Sequence, residues 1–270
     1  MSAETTWPPM IWIGGLQGAG KSTLAREFAY ARDLPLHRID AFTYAHVDRM
    51  PAAEPLDAVL ARGAEYAADQ WAAHCRDRVP LVVADVAARG AGDVPVVVEG
   101  PQLQPAASAP TGASVWLLTG SARTRRVREA RLEGVDDPDA RARIDGLAAR
   151  ELLVAERLRR DLAATGRPSV DVADDPDWSQ IRAQLESVLE PALDGVTRLA
   201  PGADLAGQRR YENRATAYQL RSHWTAIGAA PSAFEFACEC GRSGCDQMWE
   251  GTPDEYDAAA ESDAVRAAAH

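Results

Sequence analysis

The stretch Gly15-Leu16-Gln17-Gly18-Ala19-Gly20-Lys21-Ser22 follows the pattern G-x-x-x-x-G-K-[ST], and Thr23 comes next. Glycines in such a loop let backbone N–H groups turn inward around phosphate oxygens with no Cβ in the way. A helix beginning at Ser22 presents its positive end to the same anion. Lys21 is then placed to reach the β- and γ-phosphates of a nucleotide, and the Ser22 hydroxyl to ligate Mg²⁺. Lys21 is also the only lysine, arginine making up the rest of the 29 basic residues. A compact ammonium on a flexible stem follows a moving phosphoryl group better than a planar guanidinium does. The chemistry explains why a lysine stands here.

Two carboxylates are candidates to act beside this loop. Asp40 ends the expected strand Leu36–Asp40, and groups at the carboxyl ends of strands in an open sheet face the ligand crevice. It reads either as a strand-end turn residue or as the group that positions or deprotonates an acceptor hydroxyl. Glu99 follows the β-branched run Val96-Val97-Val98 and is a second candidate Mg²⁺ ligand, with a strand-capping role as the alternative. Asp85, in a helical stretch, is a weaker candidate of the same type. Tyr44, His46, Asp48 and Arg49 are candidate lining for an acceptor pocket.

Arg123, Arg125, Arg126, Arg128 and Arg131 crowd one helical segment, and i, i+3 spacing puts Arg125 and Arg128 on one face. Such a face could close over a polyphosphate and neutralise charge on the transferred group, Arg125 and Arg128 being the candidates for that work. The alternative is a solvated face paired with Glu129 and Glu133. Arg143 and Arg150 are weaker candidates on the next helix.

The elements that must position these groups alternate in type. Strands are expected at Met10–Ile13, Leu36–Asp40, Val96–Val98, Ser114–Leu118 and Ser169–Val172. Helices are expected at Ser22–Arg32, Pro55–Arg76 with a break near Gly63, Ser121–Glu133, Pro138–Ala164 and Trp178–Leu193. This is the pattern of a doubly wound parallel sheet. A linker at Arg198–Asp204 leads into a helix at Leu205–Trp224 and then a cysteine cluster, which divides the chain into residues 1–197 and 198–270.

A net charge of −11 argues against a general nucleic-acid binder. No stretch has the apolar length of a membrane helix, and MSAETTWPP has neither a charged n-region nor an apolar h-region, so the reading is a soluble, cytoplasmic protein. Four cysteines, three of them clustered, do not form a secreted disulfide pattern.

The glycine loop, the aspartate after the second strand, the arginine-rich segment after the fourth and the late strand SVDV together resemble the small P-loop kinases of the nucleotide and shikimate kinase type. That resemblance implies a three-layer α/β/α fold with five parallel strands in the order 2-3-1-4-5, ATP and Mg²⁺ as cofactors, and transfer of phosphate to a hydroxyl or phosphate of a small-molecule acceptor. The runs VVVEGPQLQP and AARELLVAERLRRDL resemble bacterial kinase-like proteins that end in C-x-C…C…E-Y…H, which here is Cys238, Cys240, Cys245, Glu255-Tyr256 and His270. An arginine motif of the kind nucleoside monophosphate kinases place after the second strand is absent, so a nucleotide acceptor is not implied.

Cys238, Cys240, Cys245 and His270 are a complete donor set for tetrahedral Zn²⁺ if Gly241 or Gly244 turns sharply. The alternative is a small core in which the cysteines pack with Phe234, Phe236 and Trp249. A second functional reading, from another class, is a nucleotide-dependent regulatory protein whose C-terminal unit docks a protein partner.

Overall fold

The computed structural model describes residues 9–89, 92–105, 112–130, 138–262 and 264–268. Five parallel strands form the sheet, β1 (Met10–Gly15), β2 (Leu36–Arg38), β3 (Val96–Glu99), β4 (Ser114–Thr119) and β5 (Ser169–Val172), in the order β2-β3-β1-β4-β5. This is the order the resemblance implies. Central β1 pairs Met10 with Val96 on one side and Trp12 with Ser114 on the other. Its residues are buried throughout, as a strand covered on both faces requires.

Side-chain alternation divides the core. Ile11, Ile13, Val97, Val115 and Leu117 pack with Leu24 and Phe28 of α1 (Lys21–Ala31) and with Ile181 and Leu185 of α7 (Trp178–Leu189). Met10, Trp12, Val96 and Val98 face the other way, onto Val79, Val82 and Val86 of α4 (Ala64–Arg89). Trp116 and Leu118 meet Val154, Leu158 and Leu162 of α6 (Pro138–Thr165) on that same side. The period of two in the strands thus sorts the helices into two outer layers.

Several boundaries differ from the sequence expectation. Strand β2 ends at Arg38, and Asp40 lies in the 3₁₀ turn Ile39–Phe42, just before α2 (Thr43–Val47). The helical region after Pro55 is α3 (Leu56–Ala61) followed by α4, which continues to Arg89. Pro80 lies inside α4 and removes one helical N–H, yet the flanking Val79, Val82 and Val86 are buried against the sheet, and that packing holds the helix through it. The stretch Trp178–Leu193 is helical only to Leu189 and closes with a 3₁₀ turn, Glu190–Leu193. Helix α5 (Ser121–Ala130) carries the arginine-rich segment, and Arg131 and Glu133 lie outside the described residues.

The C-terminal part holds α8 (Ala203–Ile227), an antiparallel hairpin of β6 (Phe234–Ala237) and β7 (Met248–Gly251), and α9 (Pro253–Ser262). Helix α8 docks on the sheet domain through polar side chains. Buried Glu212 accepts from the Tyr30 hydroxyl at 2.7 Å, the Leu36 backbone N–H at 2.9 Å, Gln208 at 2.6 Å and Arg209 at 2.9 Å. Arg209 also donates to Leu34 O and lies over the Tyr30 ring, 3.6 Å from its centroid. Burial first, and then the Glu212 charge, raise the Tyr30 pKa, so the phenol stays a donor. A carboxylate with this many donors withstands burial that an unpaired one could not. Asn213 extends the hairpin, donating to Ala237 O and accepting from Ala237 N.

Candidate active site

The glycine loop leaves β1 and enters α1 as the pattern requires. Gly18 and Gly20 have φ of 78° and 79°, a left-handed conformation open to glycine at little cost, and Gly20 is the residue from which α1 starts. The outer face of the loop is covered. Trp178 lies over Gly20, where an added Cβ would come within 2.6 Å of its ring. Thr124 of α5 donates to Gln17 O at 3.2 Å, and Arg123 donates to Gly18 O at 3.0 Å. Lys21 is 6% exposed and donates from Nζ to Leu16 O at 2.7 Å, which keeps the ammonium against the loop.

Ser22 and Glu99 come together: the serine Oγ donates to Glu99 Oε1 at 3.2 Å. Glu99 is 2% exposed, and its pKa is raised to about 7, chiefly by burial and further by the Asp40 charge, against the lowering pull of Lys21, Arg38 and the Ser22 hydrogen bond. A hydroxyl beside a carboxylate is a pair of hard oxygen donors, the kind of set Mg²⁺ takes together with phosphate oxygens. These residues therefore fit the cation the loop pattern implies.

Asp40 is exposed and accepts from Gln102 Nε2 at 3.0 Å through Oδ1. Its turn is braced from beneath by Arg78, which is 2% exposed and donates to Ile39 O at 2.6 Å and to Thr43 Oγ1 at 2.9 Å. Arg78 Nε also donates to His46 Nδ1 at 3.1 Å, while His46 Nε2 meets Asp85 Oδ2 at 2.8 Å. That arrangement fits a neutral His46 whose Nε2–H donates to the carboxylate. Burial is the main cause that lowers the His46 pKa. His37 stacks on Phe42 at 4.3 Å between centroids, and burial takes its pKa down to about 3.

Most of the remaining candidates from the sequence have partners of their own. His46 and Asp85 pair behind the Asp40 turn, the imidazole buried and the carboxylate partly exposed, and Arg49 joins them through Asp85 at 2.7 Å. Asp48 is an exposed surface residue of the same segment. Arg125 pairs with Asp145 at 2.8 Å and Glu129 at 3.5 Å, and Arg128 with Glu151 at 3.0 Å. Both guanidinium groups are engaged by carboxylates of α5 and α6, whereas Arg123 is the arginine bonded to the loop. Arg143 pairs with Asp57, and Arg150 with Glu151. The i, i+3 spacing identified a shared face without revealing which way it points.

One open cleft of about 570 Å³ joins these groups. Ser22, Glu99, Arg38 and Asp40 line one wall, and Thr216, Gln219 and His223 of α8 line the other, with Phe234 of β6 at the rim. Arg38 donates to Thr216 Oγ1 across it. Tyr44 takes a place at its edge, its backbone N–H donating to Gln219 Oε1 at 3.1 Å and its hydroxyl 3.5 Å from His223 Nδ1. Gln102, Arg78 and the whole α8 wall were not among the candidates the sequence offered, whereas Arg123 was one of its arginine group. The polar residues Gln208, Glu212, Thr216 and Gln219, recurring at helical spacing, were the only signal for that wall.

Away from this cleft, Cys238, Cys240 and Cys245 converge near the hairpin, and His270 lies outside the described residues. No helix among the described residues is long and apolar enough to cross a membrane.

No family model and no curated protein matches the chain. Among solved structures it is similar to a gluconokinase from Sinorhizobium meliloti, with 21% identity, 70% of this chain and 95% of that one covered, and a TM-score of 0.41. A shikimate kinase from Bacteroides thetaiotaomicron is 17% identical over 67% of this chain and 98% of its own, with a TM-score of 0.36. A sugar kinase from Janibacter sp. HTCC2649 is 15% identical over 71% and 99%, with a TM-score of 0.35.

Proposed function

We propose that this protein is an ATP- and Mg²⁺-dependent phosphotransferase acting on a hydroxyl of a small molecule. The observation that carries the reading is the shared cleft, in which a phosphate-loop residue (Ser22), a buried carboxylate (Glu99) and an exposed carboxylate (Asp40) face the same space. Bound ATP would supply the phosphoryl group, with Mg²⁺ neutralising its charge. The loop's backbone N–H groups beyond Leu16, whose own N–H is bonded to Leu117 O, and the Lys21 ammonium would hold phosphates; Ser22 and Glu99 would hold the cation. Asp40, steadied by Gln102, orients the acceptor hydroxyl and takes its proton.

The acceptor enters against α8, so the units 1–197 and 198–270 share one site. Among the described lining residues Arg38 is the only guanidinium, and it already donates to Thr216, while two carboxylates, Asp40 and Glu99, share its wall. Such a balance favours an uncharged hydroxyl acceptor over a phosphate. Arg123, bonded to Gly18 O, is positioned to steady the loop; Arg125 and Arg128 act on the transferred group only after leaving Asp145 and Glu151. The participation of α8 and β6 in the cleft favours a substrate-binding role for the C-terminal unit over partner docking.

The test is transfer of labelled γ-phosphate from Mg·ATP into pooled sugars, polyols, nucleosides, nucleotides and aminoglycosides. An acid-stable organic phosphate supports the reading. Release of label only as inorganic phosphate with every pool contradicts it.

A further inference from the structure

We infer that Cys238, Cys240 and Cys245 form a structural Zn²⁺ site that fastens the C-terminal hairpin to the phosphate-loop domain. This goes beyond the proposed phosphotransfer and does not depend on it. None of the three is joined in a disulfide, and their Sγ atoms lie within 4.8 Å of one another. Tetrahedral zinc with bonds of about 2.3 Å needs sulfurs about 3.8 Å apart, so small side-chain adjustments suffice.

Each sulfur also has a backbone donor. Arg242 N–H points to Cys240 Sγ at 3.5 Å, Ala267 N–H to Cys238 Sγ at 3.4 Å, and Gln247 N–H to Cys245. N–H groups aimed at sulfur stabilise thiolate and orient it, as the outer shell of a metal site does. The close spacing of the three cysteines is met by two left-handed glycines, Gly241 at φ 71° and Gly244 at φ 65°, which fold the loop back on itself.

The competing explanation, a small apolar core, has its own residues. Phe236, Tyr256, Val265 and Ala217 form that cluster, with Trp249 against it, and the cysteines are not members. Three converging sulfurs with backbone donors make a polar, electron-rich hollow. A soft thiolate set of this kind selects Zn²⁺ over Mg²⁺.

The position explains what the cation would do. Gly241 O accepts from Gly202 N at 2.7 Å, at the start of α8, and Gly244 N donates to Asp33 Oδ1 at 2.8 Å, in the turn between α1 and β2. Ser243 Oγ donates to the other Asp33 oxygen. A loop pinned by zinc therefore holds α8 to the domain that carries Lys21 and Asp40.

The experiment uses the full chain, purified under reducing conditions, equilibrated with Zn²⁺ and dialysed. Elemental analysis is expected to give about one zinc per chain. Cys240→Ser and Cys245→Ser should lose it, and Cys75→Ser, at a buried thiol elsewhere, should retain it. Cobalt substitution of the unaltered chain provides a readout that needs no variant: intense thiolate-to-cobalt charge-transfer absorption is expected, and zinc should abolish it. Sub-stoichiometric zinc together with no charge-transfer band, or zinc content unchanged in the Cys240→Ser/Cys245→Ser double variant, overturns the proposal.

Discussion

The two halves of the cleft are built by different means. On the phosphate side, a short contiguous loop supplies backbone N–H groups, and its shape is fixed by glycine dihedral angles at 18 and 20. On the side proposed to take the acceptor, the polar atoms are side chains of Arg38, Asp40, Gln219 and His223, drawn from elements far apart in the chain and held by buried polar braces. Arg78 fixes the Asp40 turn, and Glu212 ties α8 to Leu36 at the start of β2. Thr124 and Arg123 brace the loop at its carbonyls, but its N–H groups come from one short stretch and not from distant neighbours. The opposite wall depends on them entirely, so damage at a distance should reach acceptor chemistry before nucleotide binding.

Substitutions can break that contrast. Lys21→Ala is expected to have the largest effect, lowering phosphoryl transfer by about 10³-fold or more with the fold retained, since a preorganised charge on the transferring group is lost. Turnover and circular dichroism measured together check this. Asp40→Asn is expected to lower kcat by about 10²-fold while nucleotide affinity, read by calorimetry, stays unchanged. Arg78→Met removes a buried donor group and leaves His46, Ile39 O and Thr43 short of a partner; a stability loss of about 3 kcal/mol is expected in denaturant unfolding. Its turnover should fall further than its nucleotide affinity does.

Two smaller effects sharpen the same contrast. Glu99 holds its proton up to about pH 7, and a proton there competes with a cation. Apparent Mg²⁺ affinity should therefore rise by up to about tenfold per pH unit from pH 5.5 toward 7 and level off above it, with Glu99→Gln flattening the profile. Titration of Mg²⁺ in the presence of a fixed nucleotide at several pH values measures it. Gln219→Ala is expected to raise acceptor KM about fivefold with basal ATP hydrolysis unchanged, the scale of one hydrogen bond.

The sheet and the loop were legible because their signals are local. β-Branched runs such as Val96–Val98 and the glycine pattern at 15–22 each act over a few residues. The helix expected to end at Arg76 runs on through Pro80 to Arg89, because helix propensity is local while the packing of Val79, Val82 and Val86 is not. The arginine segment gave composition without direction: the partners that occupy Arg125 and Arg128 come from α6, and only the tertiary fold pairs them. Helix α8 was expected, but besides Leu205 and Ala217 its buried face holds Gln208, Arg209, Glu212, Asn213 and Thr216, residues that read as solvated. The hairpin and α9 were not anticipated, since the strand Phe234–Ala237 is short and its partner Met248–Gly251 lies beyond the cysteine loop.

The most direct test of phosphotransfer in the α8-walled cleft is ADP formation from Mg·ATP across a panel of single sugars, polyols and nucleosides. It would compare the unaltered chain with Lys21→Ala, Asp40→Asn and Gln219→Ala. The account predicts that at least one hydroxyl compound stimulates turnover, that Lys21→Ala and Asp40→Asn cut the stimulated rate by about 10³- and 10²-fold, and that Gln219→Ala shifts its KM. ADP formation indifferent to every acceptor, and equally fast in Asp40→Asn, would contradict it.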